Sequence, residues 1–442
     1  MADPRTEFAA RFAEIHPPLG PREALVEANR CLFCFDAPCM IACPTHIDVP
    51  RFIKKIATGN VAGSAFTILE SNILGLSCSR VCPVEVLCEG ACVMHRYNQQ
   101  PIEIGRLQRH AMDHFYDRGL RLTVAREPRR GNVACIGAGP ASLACAAELR
   151  RRAFAVTLFD SRPLAGGLNT YGVAEYKFRP ADSQKEVELV RSLGVEVRLG
   201  VEIGATVTTE ELEKEFDLVF LGVGLGATER LGISGEELPG VADALRFIAD
   251  YKTNGGAAVG RRVVVIGGGN TAIDAATAAR RLGAEEVRIV YRRSEKEMRA
   301  FQFEYEMAKQ DGILFEWMTQ PVAIYGSARV EAVECLRMEL GPPDATGRRS
   351  ARPIGGSNFR TDCDMVIVSI GQSRLLRILE QCNGVRLDSG RIMVNAATGR
   401  TSNPKWYAGG DCVNGGREVV DAVAEGKRAA LGIAQRLEEI YG

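Results

Sequence analysis

A chain of 442 residues has room for about three domains at roughly 150 residues each, and 46% hydrophobic with 25% charged residues is an ordinary globular composition. Its 55 basic residues balance 55 acidic ones, which argues against a nucleic-acid binder or a protein drawn to an anionic membrane by charge. The start, MADPRTEFAARF, has no apolar core of a secretion signal, and the longest uncharged stretch, Gly131 to Ala147, is short for a spanning helix and broken by Gly137, Gly139 and Pro140. A cytoplasmic protein is expected.

Residues 1 to about 118 are expected to form a helical module. Arg22 to Asn29 carries an apolar stripe, Pro50 to Thr58 opens on a proline suited to a first helical position and stops at Gly59, and Asn60 can cap Val61 to Glu70. From Arg118 to Gly131 the chain turns basic and irregular and reads as a linker. Of the 14 cysteines, eight lie between Cys31 and Cys92 and six are scattered over the other 380 residues. Such crowding in a long chain points to metal or redox chemistry rather than a disulfide scaffold. The runs are Cys31-x2-Cys34-x4-Cys39-x3-Cys43-Pro44 and Cys78-x3-Cys82-Pro83-x4-Cys88-x3-Cys92. Thiolates so close can wrap a metal centre, and a proline after the last cysteine of a run is a ferredoxin feature. Two [4Fe–4S] clusters are the expected occupants; zinc is the competing reading, weakened by the lack of a second CxxC at finger-like distance.

After the linker, short β-branched runs alternate with alanine-rich helical stretches, the rhythm of doubly wound α/β domains. It begins twice, at Asn132 and at Arg261, about 130 residues apart, so two nucleotide-binding domains are expected rather than one sheet. The first carries Gly137-Ala138-Gly139-Pro140-Ala141-Ser142 after an apolar strand, with Asp160 closing the second strand. Gly137 allows the tight turn, Gly139 the approach of a pyrophosphate, and Asp160 can accept from a ribose diol. The second carries Gly267-Gly268-Gly269-Asn270-Thr271; where the first has its acid, this one has Tyr291, then Arg292, Arg293 and, six residues on, Arg299. Arginines pair with a 2′-phosphate that an acid would repel, so NADPH is favoured over NADH. A third segment, Trp406 to Asp411, reads as a strand ending in Gly-Gly410-Asp411 before a helix starting at Val419. Its acid can hold a ribityl hydroxyl and its helix can face a flavin edge, which brings the C-terminus back to the first domain. The stretch Gly341 to Ser357 is expected to be a surface loop.

The module from Cys31 to Val93, followed by PIEIGRLQ, GAGPAS, GGL, GGGNTAID, YRR and AGGD, resembles the N-terminal half of dihydropyrimidine dehydrogenase. In split bacterial versions this half is a separate flavin-containing electron-input subunit; the small subunit of glutamate synthase is similar in architecture. The resemblance implies an α/β chain: an N-terminal α-helical double [4Fe–4S] domain (1–128), then two Rossmann-like nucleotide-binding domains, one inserted in the other. FAD-binding parts at 129–225 and 371–442 would flank an NAD(P)H-binding domain at 226–370. It also implies a crossed ligand set: Cys31, Cys34, Cys39 and Cys92 for one cluster, Cys43, Cys82, Cys88 and Gln108 for the other, with Cys78 a bystander. FAD contacts would fall on Gly137 to Ser142, Asp160, Gly167, Leu168, Gly410, Asp411 and Val419, and on Lys177, where the family has an arginine. The pyridine nucleotide would take Gly267, Gly269, Asn270, Thr271, Arg292, Arg293 and Arg299, with NADH left open because some split enzymes use it. No residue is required as general acid or base, since the hydride passes between bound cofactors. The partner implied is an FMN-containing subunit that reduces uracil or thymine, in a heterotetramer. Gln108 and the Val-Glu-Val-Leu spacer before Cys88 favour this over the alternative, a glutamate synthase small subunit. A zinc-stapled nucleotide sensor is a third, non-catalytic reading.

Overall fold

The computed structural model describes residues 8, 10–124, 129–344 and 349–442. It divides into two compact units: Gly226–Ser373 with Tyr171–Tyr176 and the described residues before Glu14, and Glu14–Thr170 with Lys177–Leu225 and Arg374–Gly442, each without the undescribed residues.

The larger unit begins with the helical module: Pro21–Arg30, Pro38–Ile41, Val49–Ala57, Val61–Ser71, Gly75–Val81 and Ile104–Asp117. The caps explain the boundaries. Asp48 accepts from the Arg51 N–H at 3.1 Å and Asn60 from the Gly63 N–H at 2.8 Å, each taking one of the orphan donors of a first turn. The cysteines are not confined to the turns between helices: Cys39 sits in the short helix Pro38–Ile41 and Cys78 in Gly75–Val81. Part of the expected linker, residues 125–128, lies outside the described residues.

The same unit contains a five-stranded parallel sheet in the order Trp406–Ala408, Leu218–Leu221, Asn132–Ile136, Ala155–Asp160, Glu196–Leu199. The C-terminal strand thus joins the first nucleotide sheet, as expected. Strands buried on both faces read as continuous apolar runs, which is why NVACI and LVFL carry no alternation. The last helix, Val419–Tyr441, lies against Pro140–Arg151 so tightly that a Cβ at Gly426 would stand 2.0 Å from the Ala141 carbonyl oxygen.

Three helices of this sheet grip the cysteine module at the ends of its own helices. Arg151 donates to the Leu69 carbonyl at 2.7 Å and Lys427 to the Ser71 carbonyl at 3.2 Å, both at the C-terminus of Val61–Ser71. Glu186, from Pro180–Ser192, accepts from the N–H groups of Leu76 and Ser77, both at 2.9 Å, at the N-terminus of Gly75–Val81. Cations therefore meet free carbonyls and a carboxyl meets free N–H groups, the favourable sense for each helix dipole.

The smaller unit holds a second parallel sheet, ordered Val241–Asp243, Met365–Val368, Arg262–Ile266, Glu286–Val290, Leu314–Glu316. Beside it, Ala332–Pro343 pairs antiparallel with Thr319–Tyr325, Phe359–Asp362 and Arg349–Pro353. Gly341 to Ser357 is therefore not a loop but largely the tip of a hairpin, with residues 345–348 outside the described set. Backbone pairing across the tip, Leu340 opposite Ala351 and Glu339 opposite Arg352, outweighs a Pro-, Gly- and Arg-rich sequence with no apolar face to bury. Among the described residues no single helix is long and apolar enough to cross a membrane.

Candidate functional site

The first glycine loop is built for close approach. Gly137 has φ +88°, and a Cβ there would meet the Gly222 carbonyl oxygen at 2.5 Å. Gly167, at φ +55°, faces it from the loop before Leu168–Tyr171, and a Cβ on Gly167 would stand 2.8 Å from the Gly139 Cα. The Gly166 N–H donates to the Ala138 carbonyl at 2.7 Å and locks the two loops together. The result is a cradle of bare backbone at the N-terminus of Pro140–Arg151, where N–H groups and the helix dipole favour a pyrophosphate. Ser142 turns its hydroxyl inward, against Gly222. Asp160 does more than await a ribose: its Oδ2 accepts from the Ala138 N–H at 2.8 Å and its Oδ1 from the Arg162 N–H at 2.9 Å, so it also shapes the loop while keeping lone pairs to spare.

At the other end, Gly410 donates its N–H to Glu425 at 2.7 Å, and Asp411 accepts from the Arg417 N–H at 3.2 Å. Burial raises the Asp411 carboxyl above its usual range. Just before Val419, burial and then the neighbouring Asp421 push the Glu418 carboxyl up to about 7, with the buried Lys177 ammonium pulling the other way. Glu418, Asp421 and Glu425 were missed by motif reading, since each looks like an ordinary acid on an amphipathic helix.

In the smaller unit, Gly267 turns against Ser369, where a Cβ would lie 2.1 Å from the carbonyl oxygen, while Gly269 opens onto empty space at the start of Asn270–Leu282. The loop after the arginines is stitched to this turn: the Arg299 N–H donates to the Gly268 carbonyl at 3.0 Å and the Phe301 N–H to Asn270 Oδ1 at 3.0 Å. Thr271 lies in the first turn of the helix. Arg292 and Arg299 are exposed, whereas Arg293 is buried and gives its Nε to the Arg349 carbonyl at 3.1 Å. The three expected anion ligands are therefore two free arginines and one held by a neighbouring strand.

Cys31, Cys34, Cys39 and Cys92 line one small cavity that is partly open to solvent, with Pro38, Val49, Ile53, Met94, Ile102 and Ile104 as its apolar wall. These are the four that the resemblance groups together, although Cys92 comes from the second run. Phe33, between Cys31 and Cys34, is held at φ +50°, an uncommon conformation for a bulky residue and one that bends the loop around the cavity. Burial, then the Cys31 and Cys92 thiols, pushes the Cys39 thiol up to about 12. Such thiols ionise when a cation offsets their charge, as an iron–sulfur cluster does. Among the described residues no three His, Cys, Asp or Glu side chains close on a single-ion site.

The second group gathers less completely. The half-buried Cys82 thiol is raised by its contact with Cys78 and then by desolvation, with Cys88 and Cys43 also acting on it. Cys43 lies 3.3 Å from the Thr45 hydroxyl. Gln108 is buried on Ile104–Asp117, its Nε2 donating to the Gly75 carbonyl at 2.8 Å, which leaves its carboxamide oxygen as the atom that could ligate iron.

A paired-glycine cradle, a second nucleotide turn with free arginines and a cysteine-lined cavity define a flavin-dependent pyridine-nucleotide oxidoreductase with an iron–sulfur module. Residues 131–426 match the model of the pyridine nucleotide-disulphide oxidoreductases, and residues 8–120 match that of dihydropyrimidine dehydrogenase domain II, 4Fe-4S cluster. The chain belongs to the pyridine nucleotide-disulphide oxidoreductase family, and carries the 4Fe-4S domain at its N-terminus. It is 37% identical to the glutamate synthase [NADPH] small chain of Escherichia coli, over 97% of this chain and 94% of that one. It is also 34% identical to the NADP(+)-dependent formate dehydrogenase subunit beta of Moorella thermoacetica, over 91% of this chain and 60% of that one. Mycobacterium tuberculosis FprA in complex with NADPH shares the fold at TM-score 0.58 and 22% identity, over 71% of this chain and 87% of that one. FAD, a pyridine nucleotide and [4Fe–4S] iron are the cofactors of this chain.

Gly167→Ala tests the cradle. The added methyl overpacks the Gly139 loop, so flavin affinity is expected to fall at least tenfold, the equivalent of about 1–3 kcal/mol of overpacking, with unchanged far-ultraviolet circular dichroism. The check is flavin content of the purified protein after dialysis.

Proposed function

We propose that the chain is the electron-input subunit of a two-component oxidoreductase, taking a hydride from NADPH and delivering single electrons to a partner subunit through two [4Fe–4S] clusters. The observation that carries this is the presence, in one compact unit, of the flavin-type glycine cradle and the cysteine-lined cavity. Bound flavin supplies the step between nicotinamide, which gives two electrons together, and a cluster, which takes one. The protein's part is to hold and orient these groups. Gly137 to Ser142 with Gly166 and Gly167 would seat the flavin pyrophosphate, Asp160 a ribose, and Asp411 with the N-terminus of Val419–Tyr441 the isoalloxazine end. Arg292 and Arg299 would hold the 2′-phosphate that distinguishes NADPH from NADH, and Arg293 would brace them. The ligands would be Cys31, Cys34, Cys39 and Cys92 for one cluster, and Cys43, Cys82, Cys88 and Gln108 for the other.

For the partner, similarity over nearly the full length of the glutamate synthase small chain supports a glutamate synthase large subunit, with glutamine and 2-oxoglutarate as terminal substrates. It covers 97% of this chain, whereas only Gln108 and the spacer before Cys88 favour the pyrimidine partner over this one. A pyrimidine-reducing FMN subunit is kept as the second reading, favoured by the buried Gln108 and by the name of the N-terminal family model.

Two outcomes are expected. Cys39→Ser or Cys92→Ser removes about half of the iron and acid-labile sulfide, whereas Cys78→Ser leaves both unchanged; loss of iron from the Cys78 variant contradicts the ligand set. With NADPH, the chain and a glutamate synthase large subunit turn over glutamine and 2-oxoglutarate. Turnover of uracil or thymine with the FMN subunit instead assigns the chain to the second reading, and turnover with neither removes both.

A further inference from the structure

Glu186 is a buried carboxyl on Pro180–Ser192 with one oxygen engaged and the other not. Its Oε1 accepts from the N–H groups of Leu76 and Ser77. Its Oε2 has no hydrogen-bond partner, and neither does the Tyr116 hydroxyl or the Arg80 Nε, all of them buried. The peptide next to this contact, Gly75, gives its carbonyl to Gln108, and the same short helix leads into Cys82. Glu186 thus holds the N-terminal end of the helix whose first carbonyl takes Gln108 and whose far end leads into Cys82. At its other end its helix holds Ser183 2.8 Å from the Thr170 hydroxyl, beside the Gly166 turn of the flavin cradle.

The charges around Glu186 are spent elsewhere. From Gly75–Val81, Arg80 pairs with Asp113 at 2.5 Å; from Ile104–Asp117, Asp113 also takes Arg109 at 3.2 Å, and Tyr116 stays neutral because burial raises its hydroxyl. On its own helix, Asp182 pairs with Lys185 at 2.7 Å. From the C-terminal helix, Lys427 donates to the Ser71 and Glu70 carbonyls. Burial pushes the Glu186 carboxyl up to about 7, against the pull of the Ser77 and Leu76 donors and of Arg80. A carboxyl poised there changes charge near neutrality when a new charge arrives. At an effective dielectric of about 20, one negative charge about 10 Å away raises a carboxylate's proton affinity roughly tenfold.

We propose that Glu186 is a positioning residue that takes up one proton as the second cluster takes up one electron, so that the buried region keeps its net charge. The inference rests on the ligand reading of Cys43, Cys82, Cys88 and Gln108. The balance is simple: reduced flavin gives one electron to the oxidised cluster, and the Glu186 carboxylate binds one proton from bulk water at Oε2. When the electron leaves for the partner, the proton returns to water. The sign follows from the raised carboxyl: below about pH 7 Glu186 is protonated in both states and above that range only in the reduced state.

The test is a redox titration of the cofactor-loaded chain, followed by electron paramagnetic resonance at several values between about pH 6 and pH 9. In the wild type the second cluster's reduction equilibrium is expected to fall about tenfold per pH unit just above neutrality, about 59 mV for a one-electron couple. In Glu186→Gln, which keeps an acceptor for Leu76 and Ser77, that dependence disappears. Equal slopes in the two proteins overturn the proposal. Absence of a second cluster signal in the wild type overturns the ligand reading beneath it. If the variant loses iron, the reduced-minus-oxidised infrared spectrum of the wild type decides: a gained protonated-carboxyl band supports the proton uptake, and no gain overturns it.

Discussion

The cysteine module and the flavin-type sheet are held together by helix ends. Arg151 and Lys427 close the carbonyl end of Val61–Ser71, and Glu186 closes the N–H end of Gly75–Val81. Each contact satisfies groups that a helix leaves open by construction, so each is specific in direction as well as in place. The three gripping side chains come from three different helices of one sheet, which limits rotation of the module against it. An electron carrier needs that rigidity, because the distance between donor and acceptor groups is what the protein contributes.

The two glycine turns show the same economy applied to different ligands. In the larger unit the turn is closed over by a second glycine loop and tied by Asp160, giving a cradle suited to a cofactor that stays. In the smaller unit Gly269 faces open space and Arg292 and Arg299 are exposed, an arrangement suited to a nucleotide that must come and go. The cysteine groups differ as well: one lines a formed cavity, while in the other Cys82 is set against Cys78, with Cys88 and Cys43 acting on it.

Much of this is legible in the sequence where the signal is local. A strand, a glycine turn and a helix follow one another within a few residues, so both nucleotide turns and the returning strand Trp406–Ala408 stand out by pattern alone. The meeting of Cys92 with Cys31, Cys34 and Cys39 depends on how the module folds back, and no spacing rule supplies it. Gly341 to Ser357 reads as a loop because its pairing is purely backbone. Arg293 looks equivalent to Arg292 until a distant strand claims its Nε. Glu186 has no motif at all, since its significance lies in two N–H groups more than 100 residues away.

In the proposed function one chain turns a hydride into single electrons and stores them on iron. Anaerobic titration of the cofactor-loaded chain with NADPH or dithionite, followed by visible absorption and electron paramagnetic resonance, tests it most directly. Full reduction is expected to consume two electrons for the flavin and one more for each of two clusters, with cluster signals appearing as NADPH is oxidised. Consumption of the flavin's two electrons alone, with no cluster signal, would contradict it.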